Sequence, residues 1–149
     1  MSYRTILANL NIDGPAAPFI EFSVSLATRF NSYLVGFCAA NITPPVTTPD
    51  GMVIEGETMR SEREEIENRQ KKLHHDFDTI IGTTVSHEWR EAVVSPTQLL
   101  IETARVADLI VTGSNNSSVL ITPDRCINLG DLVLRAGRPV LVAAKGATR

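Results

Sequence analysis

The residues whose types and spacing could do chemistry lie in the last third of the chain. An apolar run, ADLIVTGS from Ala107 to Ser114, is followed by the polar loop SNNSSVLITPDRCINL, and Gly130-Asp131 then opens a helical pattern that closes at GRPVLVAA. An apolar strand that ends in glycine and leads to a helix start puts unbonded backbone N–H groups and the positive end of a helix dipole at a sheet edge, where anions bind. The chemistry is recognition of phosphate rather than bond making. Asn116 follows Gly113 by three residues in the polar loop, and Asp131 puts a carboxylate in the first turn of the helical pattern, where a phosphate would approach. Two like charges 4 Å apart at an effective dielectric near 20 repel by roughly 4 kcal/mol, about three decades in affinity. A bridging divalent cation would reverse that sign, and Arg125 in the same loop would offset part of it.

Other chemistry-bearing residues read more simply. His74, His75, Asp76 and Asp78 suggest a metal cluster, with His74 and Asp78 four apart on one helix face, but no further ligand completes a shell and a solvated helix end explains them. His87 and Trp89 alternate along a strand and share one face, as on an edge strand packed under a helix. Cys38 and Cys126 form no C-x-x-C or metal spacing and suit a reducing compartment. Tripeptides N-x-[ST] begin at Asn41, Asn115 and Asn116, and without a secretory signal they have no route to glycosylation. No nucleophile elbow, P-loop or G-x-G-x-x-G occurs, so no catalytic set and no enzyme is expected.

These residues need a scaffold, and the pattern of the chain supplies one. YRTILANL, Tyr3 to Leu10, reads as a first strand ending near Asn11, and Phe19, Phe22, Leu26 and Phe30 recur at helical spacing until Asn31-Ser32. YLVGFCAAN reads as a second buried strand, whose Gly36, Ala39 and Ala40 would let a ligand or a neighbouring backbone come close. Asn41 to Gly56 reads as a loop able to act as a lid; Glu57 to Ile81 reads as a mostly solvated helix with an apolar line through Met59, Ile66, Leu73 and Phe77. Thr83 to Trp89 gives a third strand, and Ser95-Pro96-Thr97-Gln98 a capping box with proline at the first helical position of a helix to about Val106. ADLIVTGS is the fourth strand, Leu129 to Ala136 the fourth helix and Pro139 to Ala144 the fifth strand. Strands alternating with helices force crossovers, hence a five-stranded, mostly parallel, Rossmann-like sheet with helices on both faces. Ligands in such sheets sit at the carboxyl ends of the strands where strand order reverses, here between the first and fourth strands.

The 149 residues, 43% hydrophobic and 21% charged, fit one domain spanning 1–149. A net charge of −3 with scattered Lys and Arg gives no field for nucleic acid. No window approaches the roughly 20 apolar residues that cross a bilayer, and no leader is visible, so the expectation is a cytoplasmic protein.

YRTILANLNIDG at the start, ADLIVTGS before the loop and LGDLVLRAGRPVLV at the end together resemble the universal stress protein (UspA-like) family over essentially the whole chain. The resemblance implies a five-stranded parallel α/β domain of the adenine-nucleotide alpha-hydrolase-like type, a role in the stress response, and a homodimer paired through the last strand, PVLVAAKG. One branch of the family binds ATP through Gly, two residues, Gly, nine residues, Gly and then Ser or Thr. Carried onto this chain, Gly113 matches the first glycine, Asn116 falls at the second, Gly130 matches the third and Asp131 replaces the hydroxyl. The 16 residues between Gly113 and Gly130 are four more than that spacing, and Asn11, with Asp13 beyond it, stands where ATP-binding relatives place an aspartate.

The implied candidate nucleotide site is Ala8, Asn9, Asn11, Ala39, Gly113, Ser114, Asn116, Gly130, Asp131 and Leu132. Gly113, Ser114, Asn116 and Gly130 would lie around phosphate, and Asn9, Asn11 and Ala39 around base and ribose. Gly113 and Gly130 are explained equally well as turn glycines, and Asp131 better as an acid stabilising the first turn of a helix. The first expectation is therefore a binding or interaction module with a degenerate, silent nucleotide site, no expected cofactor and a possible protein partner. The alternative is an ATP- or AMP-binding member with weak hydrolysis. A third class, an enzyme acting on another anion at the same helix end, stays open.

Overall fold

The computed structural model describes residues 3–14, 16–42, 57–113 and 124–144, with only the backbone of 57 and 58. Strands β1 (Thr5–Asn9), β2 (Tyr33–Ala39), β3 (His87–Ala92), β4 (Leu109–Gly113) and β5 (Val140–Ala143) alternate with helices α1 (Ala17–Phe30), α2 (Glu57–Ile81), α3 (Pro96–Thr103) and α4 (Leu129–Ala136). A 3₁₀ turn, Ala104–Val106, follows α3. All strand pairs are parallel and the sheet order is β3-β2-β1-β4-β5, so the order reverses between β1 and β4 as the strand-helix alternation predicts.

The central strands are buried on both faces, and alternation along β1 divides the core. Ile6 and Ala8 join Ile20, Phe22 and Ala27 of α1 and Ile66, Leu73 and Phe77 of α2 in one cluster. Leu7 joins Val35, Phe37 and Ile110 with Leu100 of α3 and Leu132 of α4 on the other face. Two helices thus cover each face, the arrangement that closes a parallel sheet from water.

Three local expectations are corrected. β3 is His87–Ala92 rather than Thr83–Trp89, because Gly82 at φ +54° and a Thr84 amide donating to the Ile81 carbonyl (3.1 Å) turn the chain out of α2 before pairing with β2 begins at His87. Ser95 starts α3 with Pro96 in its first turn but makes no side-chain capping bond; Gln98 instead donates to Glu102 (3.1 Å). Gly36 makes room for neither ligand nor backbone. A Cβ there would come 2.6 Å from Phe77 Cζ and 2.7 Å from Trp89 Cε3, so this glycine lets two aromatic rings reach the sheet.

Candidate functional site

At the reversal point, Asn9 and Thr112 are register partners on β1 and β4, and Asn9 Nδ2 donates to Thr112 Oγ1 at 3.1 Å. Asn9 is 8% exposed and Thr112 2%. A buried amide with a neutral partner is satisfied and polar without charge, so this pair locks the two strands while keeping a hydrogen-bonding group under the crevice. The remaining apolar candidates are placed differently from one another: Ala8 is buried beneath α1 and α2, while Ala39 and Leu132 are buried on the α3 and α4 face. All three are core, and none presents a polar group.

The start of α4 is where the sequence pattern places phosphate recognition. Asn128 is its N-cap, and Asn128 Oδ1 accepts from the Asp131 amide at 3.1 Å. The Leu132 amide is taken in turn by the Asn128 carbonyl (3.0 Å), and the Asn128 amide donates to Thr97 Oγ1 (2.8 Å), tying the start of α4 to the first turn of α3. Helix starts bind anions because their first amides lack acceptors, and here one of them has been supplied with an acceptor from the chain itself. The amides of Leu129 and Gly130 are what the helix start can still offer. Asp131 is exposed. Its repulsion of a nearby phosphate therefore falls from the roughly 4 kcal/mol of a dielectric near 20 toward about 1 kcal/mol in water.

The glycines of the pattern carry no backbone strain. Among the described residues, positive φ occurs at Gly82, Gly137 and Asn31, not at Gly113 or Gly130, so a turn requirement does not explain either. A Cβ at Gly113 would meet no described atom within 4 Å, and one at Gly130 only Asn128 Oδ1 at 3.4 Å. Ser114 and Asn116 lie outside the described residues, as does most of the stretch read as a lid.

What sequence reasoning missed is the return segment before α4. The Asn41 amide, just past β2, donates to the Asp124 carbonyl at 2.7 Å. Asn11 Nδ2, just past β1, donates to Cys126 Sγ at 3.7 Å while its Oδ1 accepts from the Asp13 amide at 2.9 Å. Arg125 is engaged away from Asp131: its Nη1 holds both oxygens of Asp13, at 3.0 and 3.3 Å, and its Nη2 stands 3.9 Å from Glu65. Arg69 of α2 pairs with the same Asp13 and with Glu65. Ile127 is buried in the cluster that contains Leu7, Val35, Phe37 and Ala39. The signal for Asn128 was present as an Asn three residues before Asp131. Nothing in the sequence paired Arg125 with Asp13, 112 positions away.

Elsewhere the polar residues have structural work. Asp78 bridges His74 (3.1 Å) and His87 (3.2 Å), and His87 Nδ1 meets the Val85 carbonyl at 2.9 Å. Among the described residues no group of three or more His, Cys, Asp or Glu could hold a metal ion. His74 stacks on Trp89 with centroids 5.1 Å apart, and Trp89 Nε1 is buried without a hydrogen-bond partner, so the rings rather than a polar contact fix this indole. Gln70, 2% exposed, donates to the Cys38 and Ala92 carbonyls (3.2 and 2.9 Å) and binds α2 to the ends of β2 and β3. Burial first, then Glu91 and Asp13, push the Cys38 thiol up to about 12, so it stays protonated and unreactive. No described helix is long and apolar enough to cross a membrane.

No protein-family model matches the sequence, and no curated protein matches it either. Solved structures match over nearly the whole chain. A universal stress protein in complex with cAMP is similar at 17% identity and TM-score 0.63, over 97% of this chain and 98% of its own. A universal stress protein family protein from Arabidopsis thaliana with AMP bound is 13% identical, TM-score 0.61, over 97% and 93%. The universal stress protein UspA from Lactobacillus plantarum is 20% identical, TM-score 0.60, over 95% and 98%. At these identities the fold is shared: this chain has the Rossmann-like α/β architecture of universal stress proteins.

Proposed function

We propose that the chain is a universal-stress-type protein of the cytoplasm that acts in the stress response as a binding module without turnover, and that its inherited adenine-nucleotide crevice does not hold triphosphate. The observation that carries this reading is the self-capped start of α4. Asn128 occupies the Asp131 amide, and the first-turn acid Asp131 stands where the resemblance to ATP-binding universal stress proteins puts a hydroxyl donor. A ligand must displace the first and tolerate the second.

The site takes adenosine monophosphate more readily than ATP in this reading. Structural neighbours carry cAMP or AMP, ligands with fewer phosphates to place near α4. Asn9 and Asn11 at the end of β1 offer neutral amides for a base or ribose. Mass spectrometry of protein purified under native conditions tests this: no bound nucleotide, or a monophosphate, is expected, and near-stoichiometric ATP contradicts it.

The module is proposed to work as a homodimer paired through the last strand. Among the described residues β5 is an edge, hydrogen-bonded only by β4; it exposes Leu141 (37%) and Val142 (42%), and α4 exposes Val133 (55%) and Leu134 (84%). An apolar edge strand of this kind is stable in water when a partner covers it.

A further inference from the structure

We propose that the segment from Asp124 to Ile127 is an intramolecular strap that lies across the carboxyl ends of β1 and β2 and competes with any ligand entering the crevice. The inference rests on the crevice being the binding site, and concerns what controls access to it. Consecutive residues of the segment are fastened to different elements of the crevice rim. Asp124 accepts from the Asn41 amide beyond β2, Arg125 clasps Asp13 beyond β1, Cys126 accepts from Asn11, and Ile127 is buried in the core below. The Arg125 side chain is 21% exposed, less than half the exposure of Arg69 in the same ion cluster (46%), so the strap end of that cluster is the sheltered one.

A base or ribose over the carboxyl ends of β1 and β2 would lie against the Asn41 amide and the Asn11 side chain, and both already have partners in the strap. Binding then requires the strap to lift, and observed affinity is the intrinsic affinity reduced by the fraction of molecules with the strap raised. The ion cluster sets that fraction. Each pair is exposed enough to be weak alone, so the strap is held by several modest contacts that can be released together. A release signal would act on Arg125, by neutralising Asp13 or by offering the guanidinium a stronger anion.

Arg125→Glu, which sets a carboxylate against Asp13 and Glu65, is the test, with AMP as the probe because it lacks the two outer phosphates that would meet Asp131. Amide exchange at Asn41 is expected to quicken at least tenfold, with the rates in β1 and β4 unchanged. AMP affinity is expected to rise at least tenfold over the unmodified protein. Unchanged exchange at Asn41, or AMP affinity equal to or below that of the unmodified protein, overturns the strap. Should Arg125→Glu not fold, Arg125→Gln releases Asp13 without adding a carboxylate and gives the same comparison of AMP affinities: a rise of at least fivefold supports the strap, and an equal or lower affinity overturns it. ATP bound tightly by the unmodified protein would instead count against the closed phosphate end, and leaves the ratio between variant and parent to judge the strap.

Discussion

Asn128 does two jobs at the scale of single residues: it starts α4 and it withdraws an amide from any incoming anion. Asn128→Ala is expected to lower stability by about 1 kcal/mol, the usual cost of losing a side-chain cap, measured by urea denaturation. Cys38 offers a separate check on the core. Its thiol is raised from 9.0 to about 12, chiefly by burial, so the folded state keeps its proton longer than the unfolded chain. The stabilisation this gives is complete below about pH 9 and is lost as pH climbs toward 12. Melting temperatures of the parent protein should therefore fall more steeply than those of Cys38→Ala over that window; parallel curves would contradict the assignment. At this scale the sequence is only partly legible. Asp131 as a first-turn acid can be read directly, whereas the Arg125–Asp13 contact joins positions 112 apart and carries no local pattern.

Elements are far more legible, because periodicity is local and burial is its cause. The helical line through Ile66, Leu73 and Phe77, and the buried runs of β1, β2 and β4, follow from spacing alone. Propensity starts β3 too early because Thr83, Thr84 and Val85 favour strands but belong to the turn that leaves α2. Partner register overrides that propensity, as Leu34 pairs with His87. The small residue in β2 is legible as a close approach, but not whose. Gly36→Ala drives a methyl into Phe77 and Trp89 and should cost about 1–3 kcal/mol as overpacking, with loss of near-ultraviolet signal from the displaced indole. A neutral result would mean that α2 does not press on the sheet as described.

The whole molecule is a doubly covered parallel sheet with one unprotected flank. β3, the other edge, carries Glu88, Arg90 and Glu91, which deter pairing, while β5 carries exposed Leu141 and Val142. Light scattering at micromolar concentration should give a dimer, and Val142→Lys should shift it to monomer without unfolding it. A monomeric parent protein would remove the proposed pairing. The topology and the place where strand order reverses are readable because alternating strands and helices leave few arrangements. The state of the crevice is not, since it depends on a return segment whose contacts are set by the folded whole.

The proposed exclusion of triphosphate from that crevice rests on its phosphate end. Calorimetric titration of nucleotide-free protein with ATP and magnesium, beside Asp131→Ser, is the most direct measurement. No binding at micromolar ATP is expected for the parent protein, with a gain of at least about fivefold in the variant, since removal of even a water-screened charge is worth about 1 kcal/mol. Micromolar affinity in the parent protein, unchanged by Asp131→Ser, would contradict it.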